Sequence, residues 1–234
     1  MAESTAPALD WAALGAELDA RGHAVTPPLL DPAACAALAA LYDRPERFRS
    51  RVVMQRHAFG RGEYQYFSYP LPAAVAALRA GAYPPLAAVA NRWAARLGEA
   101  ADYPATLEAY LARCHAAGQA RPTPLLLRYG PEDYNCLHQD LYGPLVFPLQ
   151  MTVLLSRPGE DFAGGQFVLV EQRPRAQSRA EVVTLGQGEA VIFAVNQRPA
   201  EGSRGPFRVK LRHGVSRITG GRRHALGIIF HDAA

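Results

Sequence analysis

Short apolar runs separated by turn residues fill the chain from Pro122 onward. Leu125–Tyr129, Leu149–Leu155, Gln166–Val170, Glu181–Thr184, Ala190–Ala194, Val209–His213 and His224–Phe230 each have strand length and strand composition. Gly164-Gly165 predicts a hairpin and Gly186-Gln187-Gly188 a turn. Upstream the period changes. Asp10 caps a helix over Trp11–Arg21, with Trp11, Leu14 and Leu18 on one stripe and Gly22 as its stop. His23–Leu30 is extended, and Asp31-Pro32 opens a second helix to about Tyr42. Pro72–Leu97 and Tyr103–Ala117 repeat apolar residues at helical spacing, with Pro84-Pro85 expected to split the first. Between the helices, alternation from Val52 to Met54 and from Tyr64 to Phe67 predicts a hairpin.

Helices first and many short strands later predict an α+β chain with a jelly-roll, cupin-like core and N-terminal supporting helices. The expected organisation is one domain over residues 1–234. Residues 1–121 form mainly helical support with a basic and aromatic hairpin at 45–69, and residues 122–232 form the core.

Composition changes this picture little. Hydrophobic residues at 49% and charged residues at 20% exclude a disordered chain. The sequence shows no apolar run expected to cross a bilayer, and Met1-Ala2-Glu3-Ser4 lacks the features of a secretion signal. Cys35, Cys114 and Cys136 have no regular spacing, so a reduced, cytoplasmic protein is the expectation. Lys210 is the only lysine; the other basic residues are arginine. Codon composition explains that bias as well as phosphate recognition does.

The chemistry concentrates around His138-Gln139-Asp140. An imidazole and a carboxylate two residues apart share one side of an extended strand. His213, arriving from a distant strand, would complete a two-histidine, one-carboxylate set, which binds a metal on one face and leaves the other open. Arg223 would then meet a carboxylate of an organic co-substrate. Plainer readings stand beside these. His138 and His213 also suit satisfied core histidines, and Arg222 competes with Arg223 because strand register decides between them. Tyr129 suits the packed core as well as a ligand contact. Cys136 reads as a buried structural thiol. His224, His231 and Asp232 are expected away from the metal, and His57 and His115 at the surface or in packing.

The set His138-Gln139-Asp140, His213 and Arg223 resembles the motif of the 2-oxoglutarate/Fe(II)-dependent dioxygenases, whose core is a double-stranded β-helix. Arg128-Tyr129-Gly130, Gly164-Gly165-Gln166-Phe167 and Arg212-His213-Gly214-Val215-Ser216 resemble strands and a hairpin of the prolyl-hydroxylase-like branch. Arg21-Gly22-His23-Ala24-Val25 is similar to its N-terminal entry. The resemblance implies that His138, Asp140 and His213 hold Fe(II). It implies that 2-oxoglutarate binds the iron and pairs its far carboxylate with Arg223, helped by the Tyr129 hydroxyl, and that dioxygen is the other co-substrate.

Two basic stretches bear on what is oxidised. One, at 44–61, holds Arg49, Arg51 and Arg56 and leads into Tyr64 and Tyr66. The other, at 196–212, holds Arg198, Arg204, Arg208, Lys210 and Arg212 and runs into His213. Positive charge and stacking rings suit a nucleic acid; a solvated face with core aromatics is the plainer account. Phe48-Arg49-Ser50-Arg51, Gly62 to Phe67 and Leu211 to Ser216 resemble a bacterial family of these oxygenases assigned to repair of damaged nucleic acid. That implies oxidative dealkylation of an N-alkylated base, with nucleic acid as partner. The alternatives are a hydroxylase of a protein side chain or free amino acid, and a jelly-roll module that binds a metal or ligand without turnover.

Overall fold

A computed structural model describes residues 9–203 and 205–234; the expectations for Met1–Ser4 and Arg204 lie outside those residues. Asp10 caps α1 (Trp11–Arg21) by accepting from the Ala12 and Ala13 amides, and Gly22 closes it at φ 78°. β1 (His23–Val25) follows directly. Asp31 caps α2 (Pro32–Ala40), which runs into a 3-10 turn at Leu41–Asp43. The basic and aromatic stretch forms β2 (Phe48–Val53), a 3-10 turn at Met54–His57, β3 (Gly60–Arg61) and β4 (Glu63–Phe67). Then come α3 (Ala73–Arg96) and α4 (Leu107–Ala116), the latter shorter than expected because Thr106 supplies its cap.

The remaining elements are strands: β5 (Leu125–Tyr129), β6 (Tyr134–His138), β7 (Leu149–Leu154), β8 (Phe162–Gly164), β9 (Phe167–Gln172) and β10 (Arg179–Val183). They continue with β11 (Ala190–Ala194), β12 (Gln197–Gly202), β13 (Gly205–Val215), β14 (Ile218–Gly221) and β15 (Arg223–Ile229). The major sheet has the order β1-β11-β7-β15-β5-β4-β2, and the minor sheet β10-β9-β13-β6-β3 with β12 on β13. Strand pairing in both is antiparallel, and the two sheets form the expected double-stranded β-helix. Three major-sheet strands come from the first 121 residues, which therefore supply more than helical support.

Alternation along the major sheet decides what each side chain meets. Leu149, Met151 and Val153 of β7, Ile192 of β11, and Leu226 and Ile228 of β15 join Leu14, Leu38, Tyr83 and Leu86 in the apolar cluster under the helices. Residues of the opposite parity face the minor sheet. Leu154, Val191 and Phe193 meet Phe167, Leu169 and Val183 there, and Gln150, Thr152, Arg223 and Ala225 line a cavity between the sheets.

Three expectations are corrected. Pro84 and Pro85 do not split α3, which is continuous over 24 residues. The residues four positions back, Ala80 and Gly81, are small, and buried Tyr83, Leu86, Ala87 and Ala90 bind both halves to the core. By length and composition, alanine-rich α3 is also apolar enough to cross a membrane, unlike the sequence expectation. Here its apolar face, including Val75 and Trp93, packs into the protein core. Finally, Gly164-Gly165 does not make a hairpin between neighbours, because β8 pairs with β14 instead. Both glycines have positive φ, and a Cβ on Gly165 would lie 2.2 Å from Ile218 Cδ1 and 3.0 Å from Arg223 Cδ. Glycine is needed there because the chain crosses directly over Arg223.

Candidate active site

Antiparallel pairing of β6 with β13 sets His138 opposite His213, with ring centroids 4.2 Å apart. β13 is irregular immediately afterward, and Gly214 permits the close approach: a Cβ there would lie 2.6 Å from Asn135 O. Asp140 follows the end of β6 and turns inward. Its Oδ1 lies 3.5 Å from His138 Nε2 and its Oδ2 3.3 Å from His213 Nε2. One ligand atom from each residue falls within 4.8 Å of the others, and Asp140 and His213 are buried.

His138 Nδ1 lies 2.8 Å from Cys136 O, a bond that requires the proton on Nδ1, so in the neutral ring Nε2 keeps a lone pair for a metal, while in the charged ring it faces Asp140. Burial opposes ionisation of Asp140, but hydrogen bonds and charge from the two histidines outweigh it and hold the carboxyl well below its ordinary range. Burial and the charge of His138 push His213 down. Burial also opposes charge on His138, but the Asp140 contact raises it overall. Two further residues, which the sequence reading missed, hold the carboxylate. Tyr142 donates to Oδ1 at 2.6 Å and Gln150 Nε2 donates to Oδ2 at 2.8 Å.

Arg223 on β15 pairs in register with Tyr129 on β5, and both side chains enter the same cavity of about 280 Å³ as the histidines and Asp140. Arg222 has the opposite parity and lies at an outer surface beside Ser156 and His224. Arg223 is 2% exposed and has no carboxylate partner among the described residues; there its Nε and Nη1 and the Tyr129 hydroxyl are buried without hydrogen-bond partners. Burial pushes the Arg223 pKa down. A buried guanidinium of this kind is costly until an anion meets it. A carboxylate matches its fork, and two imidazoles with one carboxylate suit Fe(II). The residues present therefore fit both Fe(II) and 2-oxoglutarate.

The proposed substrate residues separate. Tyr64 lines the cavity, whereas Tyr66 packs behind it, edge-on to Tyr64 and Tyr142. Arg49 lies over the Tyr66 ring at 4.5 Å and donates to Pro122 O. Arg51 is turned away, because its register partner is Gln65 rather than Tyr64 or Tyr66, and it grips Glu63 through two nitrogens. Arg56 is exposed on the turn that leads to Ala58 and Phe59 at the cavity rim. The second basic stretch does not converge on the metal set. Arg198 is buried against Glu171 at 2.6 Å and Arg208 meets Glu99. Lys210 and Arg212 alternate with inward Leu211 and His213 and therefore face outward.

Cys136 is exposed rather than buried, because β6 runs along the cavity mouth with only short β3 beyond it. His231 is buried elsewhere, with Nδ1 accepting from Phe147 N at 3.2 Å, and Asp232 pairs with Arg79 and His115. His57 stacks on Phe59, and His224 lies beside Tyr42.

A family model described as an oxygenase catalysing oxidative methylation of damaged DNA matches residues 62–233. The chain belongs to this oxygenase family. An uncharacterised protein of Mycobacterium tuberculosis is 48% identical to the oxygenase over 199 residues, 85% of this chain and 84% of that protein. Among solved structures, a Burkholderia pseudomallei oxidoreductase of the 2OG-Fe(II) oxygenase family aligns at TM-score 0.54 and 16% identity, covering 100% of this chain and 99% of that one. A Pseudomonas putida prolyl-4-hydroxylase aligns at TM-score 0.52 and 16% identity, over 93% and 96% of the two chains. At these identities the two structures speak to the fold of the oxygenase alone.

Proposed function

We propose that the oxygenase removes N-alkyl groups oxidatively from damaged nucleic-acid bases. One observation carries the reading: His138, Asp140, His213 and Arg223 open into one cavity whose remaining lining is uncharged, a mixture of aromatic, aliphatic and neutral polar side chains. Phe59, Tyr64, Leu127, Leu137 and Tyr142 contribute to it, and among the described residues its only ionised side chains belong to the metal set and Arg223. A flat base fits such a wall. A free amino acid would leave its ammonium and carboxylate without partners. The family description points to DNA as well.

In this reading His138, Asp140 and His213 hold Fe(II), and Arg223 with Tyr129 binds the far carboxylate of 2-oxoglutarate. The metal with 2-oxoglutarate and dioxygen supplies the oxidant that hydroxylates a C–H bond. Tyr64 and Phe59 orient the base, and the apolar wall excludes water. Hydroxylation of N–CH₃ gives N–CH₂OH, which loses formaldehyde and leaves N–H. The balance is substrate, 2-oxoglutarate and O₂ to repaired base, formaldehyde, succinate and CO₂. Such chemistry removes methyl groups rather than adding them.

A protein-side-chain hydroxylase is the second reading, because a proline ring also suits an uncharged wall. Incubation with Fe(II), 2-oxoglutarate and either methylated oligonucleotides or proline-containing peptides separates them. Loss of a methylene from the oligonucleotide, with one formaldehyde per succinate, is expected. Peptide gaining an oxygen while the oligonucleotides stay intact would overturn the proposal.

A further inference from the structure

We propose that Tyr142 and Gln150 form a two-donor clamp on Asp140 that sets the metal affinity of the site. The inference rests on reading His138, Asp140 and His213 as the metal set. Each carboxylate oxygen accepts one hydrogen bond from a separate neutral side chain, Oδ1 from Tyr142 and Oδ2 from Gln150. The donors come from different parts of the chain, one from the loop after β6 and one from β7. Turning the carboxylate about its own axis would break both bonds. Neutral donors also leave its negative charge available to a cation, which an arginine partner would not.

Each donor is itself held. The Tyr142 ring meets Tyr66 edge-on at 88° and lies against His231. Its loop is tied down by Gln119, whose Oε1 accepts from Leu145 N and whose Nε2 donates to Leu145 O and Asp232 O. Gly143 keeps φ 139° there, and a Cβ would come 2.6 Å from Gln119 Cδ. Gln150 sits in the middle of the major sheet, paired with Phe193 on one side and Ile229 on the other. It is 4% exposed, and its Oε1 has no partner. A buried amide satisfied at one end only is a poor choice for packing alone. Its useful end points at Asp140, with Nε2 also 3.4 Å from His213 Nε2.

The test is anaerobic Mn(II) binding by calorimetry with excess 2-oxoglutarate, on Tyr142→Phe and Gln150→Leu, with Leu141→Ala and Asp140→Ala as controls. Loss of either donor should weaken Mn(II) by roughly 10- to 100-fold, the range for groups that orient metal ligands. Cooperative unfolding of the metal-free protein should persist, and the KM for 2-oxoglutarate at saturating Fe(II) should stay within about twofold of the parent. Leu141→Ala should bind as the parent does. If both single variants bind Mn(II) like the parent while Asp140→Ala has lost it, the clamp is wrong and the metal set stands. If Asp140→Ala binds like the parent, the metal reading itself fails. A parallel rise in the KM for 2-oxoglutarate would mark general disorder and overturn the clamp. Should Tyr142→Phe not fold, Gln150→Leu decides alone.

Discussion

Arg223 is a guanidinium without an acid among the described residues, placed where solvent cannot compensate it. Its truncation should weaken 2-oxoglutarate by about 2–4 kcal/mol, on the order of 100-fold, as for removal of one partner from a buried charge pair. Arg223→Ala should therefore raise the KM for 2-oxoglutarate while Mn(II) affinity changes little. Arg222→Ala, on the outer surface, should leave both unchanged. Equal effects from the two substitutions would contradict the register of β15. His138, Asp140 and His213 were visible in the sequence from residue type and the His-x-Asp spacing, although Asp140 lies just past the end of β6 rather than on an extended strand with His138. The choice between Arg222 and Arg223 was not, since one residue of slip reverses a strand. Tyr142 and Gln150 were hidden for another reason. Their contacts depend on how a loop without regular structure returns to the sheet, and local spacing carries no trace of that.

At the scale of elements, the β6–β13 pair does the assembling. It matches His138 to His213 and needs Gly214 beside them. Gly214→Ala would push a methyl against Asn135 O and pry the strands apart at the metal set. We expect a stability loss of roughly 1–3 kcal/mol, as for overpacking, and Mn(II) binding at least about tenfold weaker. Unchanged Mn(II) affinity by calorimetry would show that β13 can yield elsewhere. The longer strands were legible from their apolar runs, and β5 and β11 match their expected limits. β8 and β14 were not: three or four residues with glycines offer no period to read, and their pairing is long-range. The basic stretches do not form one patch, for a related reason. Clustering along the sequence says nothing of faces, and pairing with Glu63, Glu99 and Glu171 engages Arg51, Arg208 and Arg198.

Across the whole molecule, helices cover one face of the major sheet and leave the other to the cavity. Arg79 of α3 fastens this arrangement by donating to Ile229 O, Phe230 O and Asp232 Oδ1, all at the end of β15. His231 lies in the same region, fully buried. Burial, then the charge of Arg79, pushes its pKa from 6.5 to about 4. Well above pH 6.5 neither folded nor unfolded chain protonates it. As pH falls towards 4, the unfolded chain takes up a proton that the folded chain refuses, so stability drops. Urea unfolding should show this loss, and His231→Gln should reduce it by on the order of 3 kcal/mol. An unaltered pH profile would mean that other groups control acid unfolding. The outward turn of Lys210 on β13 has a practical meaning. As the single lysine, it offers amine-reactive chemistry one side-chain handle, on the far side of the minor sheet from the cavity. A tether attached there would immobilise the protein in a defined orientation, with its mouth open to solution.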